Sequence, residues 1–405
     1  MIVTIHRSEL LGDIVICPSK SYEQRIWAMA STPESEIKIF NQGTSDDANA
    51  CRGIAQKLSE QNRHDNIFDC GESALCARMY PSIMALHTDS FSIKPSGSLI
   101  RRNIGHDLDF FSSQLGWEIS SNGQHINISN AHLYAGKYTI DGSHTSQVIT
   151  GLVFALSTLS SNSELRIEKP SSIGYIILSI KMARQAGANI SYAQTDDSLI
   201  INIEGNTRYK ASFTVEGDWS NAAFLIAAGL TNGGIRITGL NPDSMQPDKA
   251  IIDILHLCKA NFEWKNNVLS AHKSDIQAFE FNAHNTPDLI PPLCILALNA
   301  NGECKIYGAN RLVGKESNRL EAIVTELRKL GANISTDGNC IITHPLKSIT
   351  PALLDSHDDH RIAMILAILG LSFDGIKITN CECVNKSYPQ FYDTLKNLGG
   401  KIEFE

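Results

Sequence analysis

One short pattern returns along this chain: a small or turn residue, a few alternating apolar and polar positions, then another turn. It reads Glu36-Ile37-Lys38-Ile39, Phe91-Ser92-Ile93-Lys94, Glu164-Leu165-Arg166-Ile167, Gly234-Ile235-Arg236-Ile237, Glu303-Cys304-Lys305-Ile306 and Gly375-Ile376-Lys377-Ile378. Alternation over so few residues is the mark of a half-buried strand. A second pattern follows in most copies, as in Leu115-Gly116-Trp117-Glu118-Ile119, Ala186-Gly187-Ala188-Asn189-Ile190, Leu330-Gly331-Ala332-Asn333-Ile334 and Leu398-Gly399-Gly400-Lys401-Ile402. Each closes a helix-like stretch with glycine, as a C-cap does, and opens another strand. The recurrence is on the order of 70 residues, longer than the roughly 20–50 of solenoids. Six such units fit the 405 residues. The reading is an α/β chain of six similar βα units, arranged as two pseudo-symmetric halves.

The place where the halves meet is legible. Val215-Glu216-Gly217-Asp218-Trp219-Ser220-Asn221-Ala222-Ala223 opens a helical run near the middle, much as Ser19-Lys20-Ser21 opens one near the start. Both begin with polar residues, so backbone N–H groups there face outward to an anion. The expected domains are 1–17 with 217–405, and 18–216. The chain then crosses between them near Pro18 and near Gly217, and the first strand belongs with the C-terminal half. Helices are expected inside and sheets outside, with anionic substrates held in the interdomain cleft, which closes by hinge motion.

Net charge narrows the partners. The chain carries 35 Lys and Arg against 43 Asp and Glu, a balance of -8. That argues against nucleic acid or an anionic membrane as the main partner. Cations nevertheless gather locally, in Lys20-Ser21-Tyr22-Glu23-Gln24-Arg25, Lys315-Glu316-Ser317-Asn318-Arg319, Asp358-Asp359-His360-Arg361 and around Lys386. Guanidinium and ammonium groups are the side chains that pair with phosphate and carboxylate, so the contrast points to small anionic ligands. The start, Met1-Ile2-Val3-Thr4-Ile5-His6, lacks the layout of a signal peptide, and no apolar run approaches the roughly 20 residues of a membrane span. The ten cysteines are scattered, and Cys381-Glu382-Cys383 is too tight for zinc, so reduced thiols in a cytoplasmic protein are expected.

Taken in order from Lys20 to Lys386, these segments resemble the 5-enolpyruvylshikimate-3-phosphate synthase (3-phosphoshikimate 1-carboxyvinyltransferase) group of the enolpyruvyl transferase family. The fold so implied is a two-domain inverse α/β barrel of six repeated βα units. The activity implied is transfer of the enolpyruvyl group of phosphoenolpyruvate to the 5-hydroxyl of shikimate 3-phosphate, with release of phosphate, in the chorismate pathway to aromatic amino acids. The resemblance implies a monomer, and its chemistry calls for neither a metal nor an organic cofactor.

The same resemblance assigns residues. Lys20, Ser21 and Arg25 match Lys-Ser-x-x-x-Arg, whose lysine reaches phosphoenolpyruvate while the serine and arginine hold shikimate phosphate. Arg102, in Arg101-Arg102-Asn103-Ile104-Gly105-His106, matches an arginine on phosphoenolpyruvate, with Asn103 where the family has proline. Thr145, Ser146 and Gln147 resemble Ser-Ser-Gln on shikimate phosphate, Gln147 also reaching phosphoenolpyruvate; Ser172 and Tyr175 match a further pair on shikimate phosphate. A Ser/Thr cluster before an apolar helix is equally an N-cap. Asp288 matches an aspartate on the shikimate hydroxyls, and Arg311 and Lys315 are assigned to the same substrate. Arg319, Arg361 and Lys386 complete the phosphoenolpyruvate end. Departures are Asn318 for an aspartate and Val313 for an arginine. The family turn Gly-Asn-Ala-Gly-Thr-x-x-Arg reads Gly71-Glu72-Ser73-Ala74-Leu75-Cys76-Ala77-Arg78 here, keeping Gly71 and Arg78 for phosphoenolpyruvate. An added carboxylate at Glu72 has to pair with a cation or point away. Ala74, in place of glycine, implies reduced sensitivity to glyphosate, a longer occupant of the phosphoenolpyruvate place.

Addition followed by elimination needs one group to take the hydroxyl proton and one to serve C3 in both directions. Asp288 and Glu316 are the carboxylates for those tasks. Lys20 and Lys386 are the candidate proton donors to the bridging oxygen, since crowded lysines have lowered pKa values. Two alternatives stand beside this reading: the sister transferase acting on UDP-N-acetylglucosamine, and a non-catalytic anion-binding relative. The first carries a cysteine in the loop near Arg102, and Ile93 to Ile104 contains none.

Overall fold

The computed structural model describes residues 1–60, 65–102 and 104–405. All six alternating segments are strands: Glu36–Phe40, Phe91–Pro95, Ser163–Glu168, Gly233–Thr238, Cys304–Tyr307 and Ile376–Thr379. The four glycine junctions are where helices end, with Gly116, Gly187, Gly331 and Gly399 at φ of 71°, 106°, 90° and 105°. Only glycine adopts these values without steric cost.

The chain divides into two compact units, Lys20–Val215 and the pair Met1–Ser19 with Glu216–Glu405. The repeats are built of strands alternating with helices, and among the described residues four of them close with a hairpin. The result, among the described residues, is five four-stranded sheets and one two-stranded sheet. In the unit of residues 20–215, Ile67–Gly71 and Phe91–Pro95 pair in parallel, and the hairpin Glu118–Ser121 with Ile126–Ser129 adds antiparallel beside them. Lys137–Asp141, Ser163–Glu168 and the hairpin Ile190–Gln194 with Ser198–Ile203 repeat that order. The two-stranded sheet joins Glu36–Phe40 to Lys210–Thr214 in parallel.

In the other unit the chain's start is divided between two sheets. Leu10–Val15 pairs in parallel with Gly233–Thr238. Ile2–His6 lies between Ile376–Thr379 and Lys401–Phe404, filling the place that a hairpin strand fills elsewhere, with Ile5 opposite both Ile376 and Ile402. The N-terminal strand therefore packs with C-terminal residues. The segment after Leu10–Val15 turns toward the middle of the chain by a bridge of Pro18 to Gly217, with Ser19 N donating to Glu216 O at 2.8 Å.

Why the first helix of each repeat is central follows from its sequence. Ile290–Leu298 reads Ile-Pro-Pro-Leu-Cys-Ile-Leu-Ala-Leu and has no polar face, so it is buried all round. Trp219–Asn232 is buried except at Thr231, and His360–Ser372 except at Ser372. These three helices touch one another. In the unit of residues 20–215 the equivalent trio is Lys20–Ala30, Ala74–Met84 and Gln147–Leu156. The last two cross closely: a Cβ on Gly151 would lie 2.0 Å from the Met79 carbonyl oxygen. Alanine at 151 would have to separate the helices, an overpacking change that costs ~1–3 kcal/mol. The strands around them alternate, as in the exposed–intermediate pattern of Glu36–Phe40, which leaves one face of each sheet to solvent.

Candidate active site

Burial of the central helices makes their exceptions informative. Ala74–Met84 is buried except at Arg78, and Gln147–Leu156 except at its first residue, Gln147. Arg78 Nη1 donates to Gln147 Oε1 at 2.9 Å, and its Nε and Nη2 lie 2.8 and 2.7 Å from Asp107 Oδ2. Gln24, one turn into Lys20–Ala30, donates from Nε2 to Ser73 Oγ at 2.8 Å, and Ser73 caps Ala74–Met84 by accepting from Cys76 N. The three helix starts are thus tied together. Their N–H groups and positive dipole ends join the cations at one end of the trio, which is the physical basis of an anion site.

Lys20 is the first helical residue, and its Nζ is 2.9 Å from Asp47 Oδ2. Arg25, 2% exposed, donates from Nε to Ser179 Oγ at 2.9 Å and from Nη1 to the Ser21 carbonyl at 2.7 Å. Its guanidinium carbon lies 5.3 Å from the Tyr175 ring centroid, a cation–π contact. Burial pulls the Arg25 pKa down to about 10, which leaves it charged at neutral pH. Ser172 stands at φ 51° just before the helix Ile173–Gln185, and its carbonyl accepts from Tyr175 N. Ser146 occupies the cap position of Gln147–Leu156 without a side-chain capping bond; Thr145 Oγ1 takes Gln147 N at 3.1 Å instead. Gly71 ends its strand at φ 54°, and the Glu72 carboxylate accepts from Ser98. Arg102 follows the 3-10 turn Gly97–Arg101, its N–H bonded to Leu99 O. Asn103 lies outside the described residues.

The unit of residues 1–19 and 216–405 holds a second cluster. Asp288 lies in the short turn Pro287–Leu289 before the apolar helix, and Asp359 caps His360–Ser372 by accepting from Arg361 N. Asp288 meets Arg319 Nη1 at 3.1 Å, Arg361 Nη2 at 3.0 Å and Lys315 Nζ at 3.6 Å. Arg319, 1% exposed, also pairs with Asp359 at 2.8 Å and with Glu316. Three carboxylates thus face three cations, with Arg319 touching every carboxylate and Asp288 every cation. Burial acts to raise the Asp288 pKa, but Arg361, Lys315 and Arg319 together overcome it and hold the carboxyl well below the usual range. Burial lowers the Lys315 pKa, against the pull of Asp288. Lys386 ends the turn Cys381–Lys386 and donates to the Asp358 carbonyl at 2.7 Å. Arg311 lies in the turn Ala309–Leu312, its pKa lowered by burial.

The match to known proteins is direct. Residues 5–395 fit the family model described as EPSP synthase (3-phosphoshikimate 1-carboxyvinyltransferase). The chain belongs to the EPSP synthase family. A 3-phosphoshikimate 1-carboxyvinyltransferase of Clostridium acetobutylicum is 33% identical, over 99% of this chain and 98% of the relative. One from Clostridium perfringens is 32% identical over 100% and 99%. An EPSP synthase structure from Acinetobacter baumannii superposes with a TM-score of 0.80 at 18% identity, covering both chains in full. The enolpyruvyl transferase NikO of Streptomyces tendae gives 0.78 at 16%, over 99% of this chain and 98% of the other. The fold is accordingly the two-domain inside-out α/β architecture of six repeats that the family resemblance implied.

Within that family frame, sequence reasoning named the cations and two of the carboxylates, Asp288 and Glu316, and passed over Asp47 and Asp107, which hold Lys20 and Arg78. Asp47 reads as a first-turn acid after the cap Ser45, and no spacing connects Asp107 to Arg78, 29 positions away. Asp248 was also missed. It is wholly buried, accepts a bond from Ser220 Oγ, and has its pKa pushed up to about 6, by burial first and then by the negative charge of Asp288. Among the described residues no group of three or more His, Cys, Asp or Glu is arranged to hold a metal ion, and no helix is long and apolar enough to cross a membrane.

Proposed function

We propose that this chain transfers the enolpyruvyl group of phosphoenolpyruvate to the 5-hydroxyl of shikimate 3-phosphate and releases phosphate. The observation that carries the reading is the match of residues 5–395 to the family, and the sequence carries Lys20, Arg25, Arg78, Arg102, Arg319, Arg361 and Lys386 as the candidate cations. We assign both clusters to this one reaction, with most of the shikimate 3-phosphate residues in 18–216 and the phosphoenolpyruvate residues drawn from both units. Arg25, Ser21, Thr145, Ser146, Gln147, Ser172 and Tyr175 take shikimate phosphate, with Asp288, Arg311 and Lys315 from the other unit. Lys20, Gly71, Arg78, Arg102, Gln147, Arg319, Arg361 and Lys386 take phosphoenolpyruvate. The reading includes a monomer in the cytoplasm.

In the proposed course the hydroxyl oxygen bonds to C2 of phosphoenolpyruvate, its proton passing to Asp288 while C3 gains a proton from Glu316. The tetrahedral ketal phosphate then loses phosphate as the same group recovers a C3 proton. The cations neutralise the leaving phosphate, and Lys20 or Lys386 supplies the proton to its bridging oxygen. The low Asp288 pKa bears on the first step. While three cations face it, Asp288 is a weak base. An anionic substrate shares those cations and returns basicity to the carboxylate, so proton uptake follows correct binding. Arg319, which already grips Asp359 and Glu316, fixes the carboxylates as well as meeting substrate.

A phosphate-release assay tests the reading. Phosphoenolpyruvate with shikimate 3-phosphate should release phosphate at a rate set by both. Release with UDP-N-acetylglucosamine instead, or with neither acceptor, overturns it.

A further inference from the structure

Glu72 stands where the family turn described above has asparagine, and its carboxylate has a defined place. Oε2 accepts from Ser98 N at 2.8 Å and from Ser98 Oγ at 2.6 Å. The preceding residue is shaped to receive it. Gly97 stands at φ 49°, and a Cβ there would lie 2.3 Å from the Glu72 carboxyl carbon and 2.4 and 2.7 Å from its two oxygens. Ser98 is buried, at 3% exposure. A further backbone bond, Ser96 N to Gly71 O at 2.8 Å, runs alongside. The junction Gly71–Ser73 and the turn Gly97–Arg101 are therefore joined at two points, one of them charge-assisted and seated in a cradle that only glycine allows. Arg102 follows that turn directly, with its N–H bonded to Leu99 O.

We propose that Glu72 is a positioning residue for phosphoenolpyruvate: it clamps the Gly97–Arg101 turn to the start of the Ala74–Met84 helix, and so sets Arg102 relative to Arg78. The two bonds from Ser98 help a negative side chain to be accommodated in a segment that serves an anion. The proposal rests on the assignment of Arg102 to phosphoenolpyruvate. Glu72 acts through Arg102 and makes no contact with substrate itself.

Four variants test it, with KM for each substrate, kcat and Tm measured for all. Glu72→Ala should raise the phosphoenolpyruvate KM about tenfold, of the order expected for loss of a charge-assisted bond. The shikimate 3-phosphate KM and kcat at saturation should stay within about twofold. Gly97→Ala, which evicts the carboxylate from the opposite side, should give the same split. Glu72→Gln keeps an oxygen for both bonds and should recover most of the loss. An unchanged phosphoenolpyruvate KM in Glu72→Ala overturns the clamp, as does a drop in Tm with both KM values rising together, or a lower KM from relief of charge. Arg102→Ala separates the two levels. If it leaves the phosphoenolpyruvate KM unchanged, the assignment of Arg102 fails and the clamp with it; if it raises KM while Glu72→Ala does not, the clamp alone fails.

Discussion

Replacing Asp248 by asparagine should stabilise the protein at neutral pH and do less at acid pH. Asp248 is wholly buried, and its pKa rises from 3.8 to about 6 on folding. The folded pKa lies above the unfolded one, so folding favours the protonated form. The associated stability is fully present below about pH 3.8, is lost as pH rises to about 6, and is level beyond. A shift of about two units at 1.36 kcal/mol each makes the ionised carboxylate cost about 3 kcal/mol at pH 7.5. At pH 5 only about half of that has accumulated. Asparagine keeps an oxygen for the Ser220 hydroxyl and carries no charge toward Asp288, so the variant escapes the penalty. The gap in stability between variant and wild type should grow by about 1.5 kcal/mol from pH 5 to 7.5, or about 3–6 °C in Tm for a unit of this size. Thermal unfolding across that range, followed by circular dichroism, measures it. A gap that stays constant, or that narrows as pH rises, refutes the argument that Asp248 is ionised against its surroundings.

Asp288→Ala and Glu316→Ala should each lower kcat by roughly 10² to 10⁴ while changing substrate KM values far less, and near-normal turnover in both would remove them from the proton transfers. Arg25→Ala should raise the shikimate 3-phosphate KM by the value of a charge-assisted bond, about 1.5–3 kcal/mol or roughly 10- to 100-fold, with the phosphoenolpyruvate KM close to wild type. Ala74→Gly should increase sensitivity to glyphosate if, as the resemblance implies, a glycine at this first helical position leaves the longer ligand room. Inhibition curves for the two proteins that coincide would rule out the methyl group as the obstacle.

What could be read from sequence, and what could not, divides along the range of the interactions. The strands at Ile235 or Ile376 and the ends at Gly187 or Gly331 are local matters of alternation and of left-handed backbone, and both show in a few consecutive letters. One of the hairpin strands that close the sheets, Glu118–Ser121, is hardly buried on either face, so it has no period to read. At the site, the cations were identified by their ordered resemblance to a family. Most of their pairings were not, because Lys20 with Asp47, Arg78 with Asp107 and Arg319 with Asp359 are pairs 27 to 40 positions apart. The chain meets itself there only after helices have packed. The same distance hid the role of Glu72, whose carboxylate looked like a liability beside Arg78 until Ser98, 26 residues on, was placed against it.

Ile2–His6 has a bearing on how the chain is made. Its two sheet neighbours, Ile376–Thr379 and Lys401–Phe404, are made about 370 to 400 residues later. At roughly 5–20 residues per second the first strand waits about 20–80 s on the ribosome for its partners. Lys20–Val215 is one continuous compact unit, so all of its strands are available while translation continues. Meanwhile the N-terminal segment carries Val3 and Ile5, both destined for full burial, with no sheet to receive them. An exposed apolar strand in a waiting chain is a target for holdase chaperones and a seed for aggregation. Glu405 and Ile2 exchange backbone bonds at 2.9 and 3.2 Å, so this sheet closes only when residues about 400 positions apart have met.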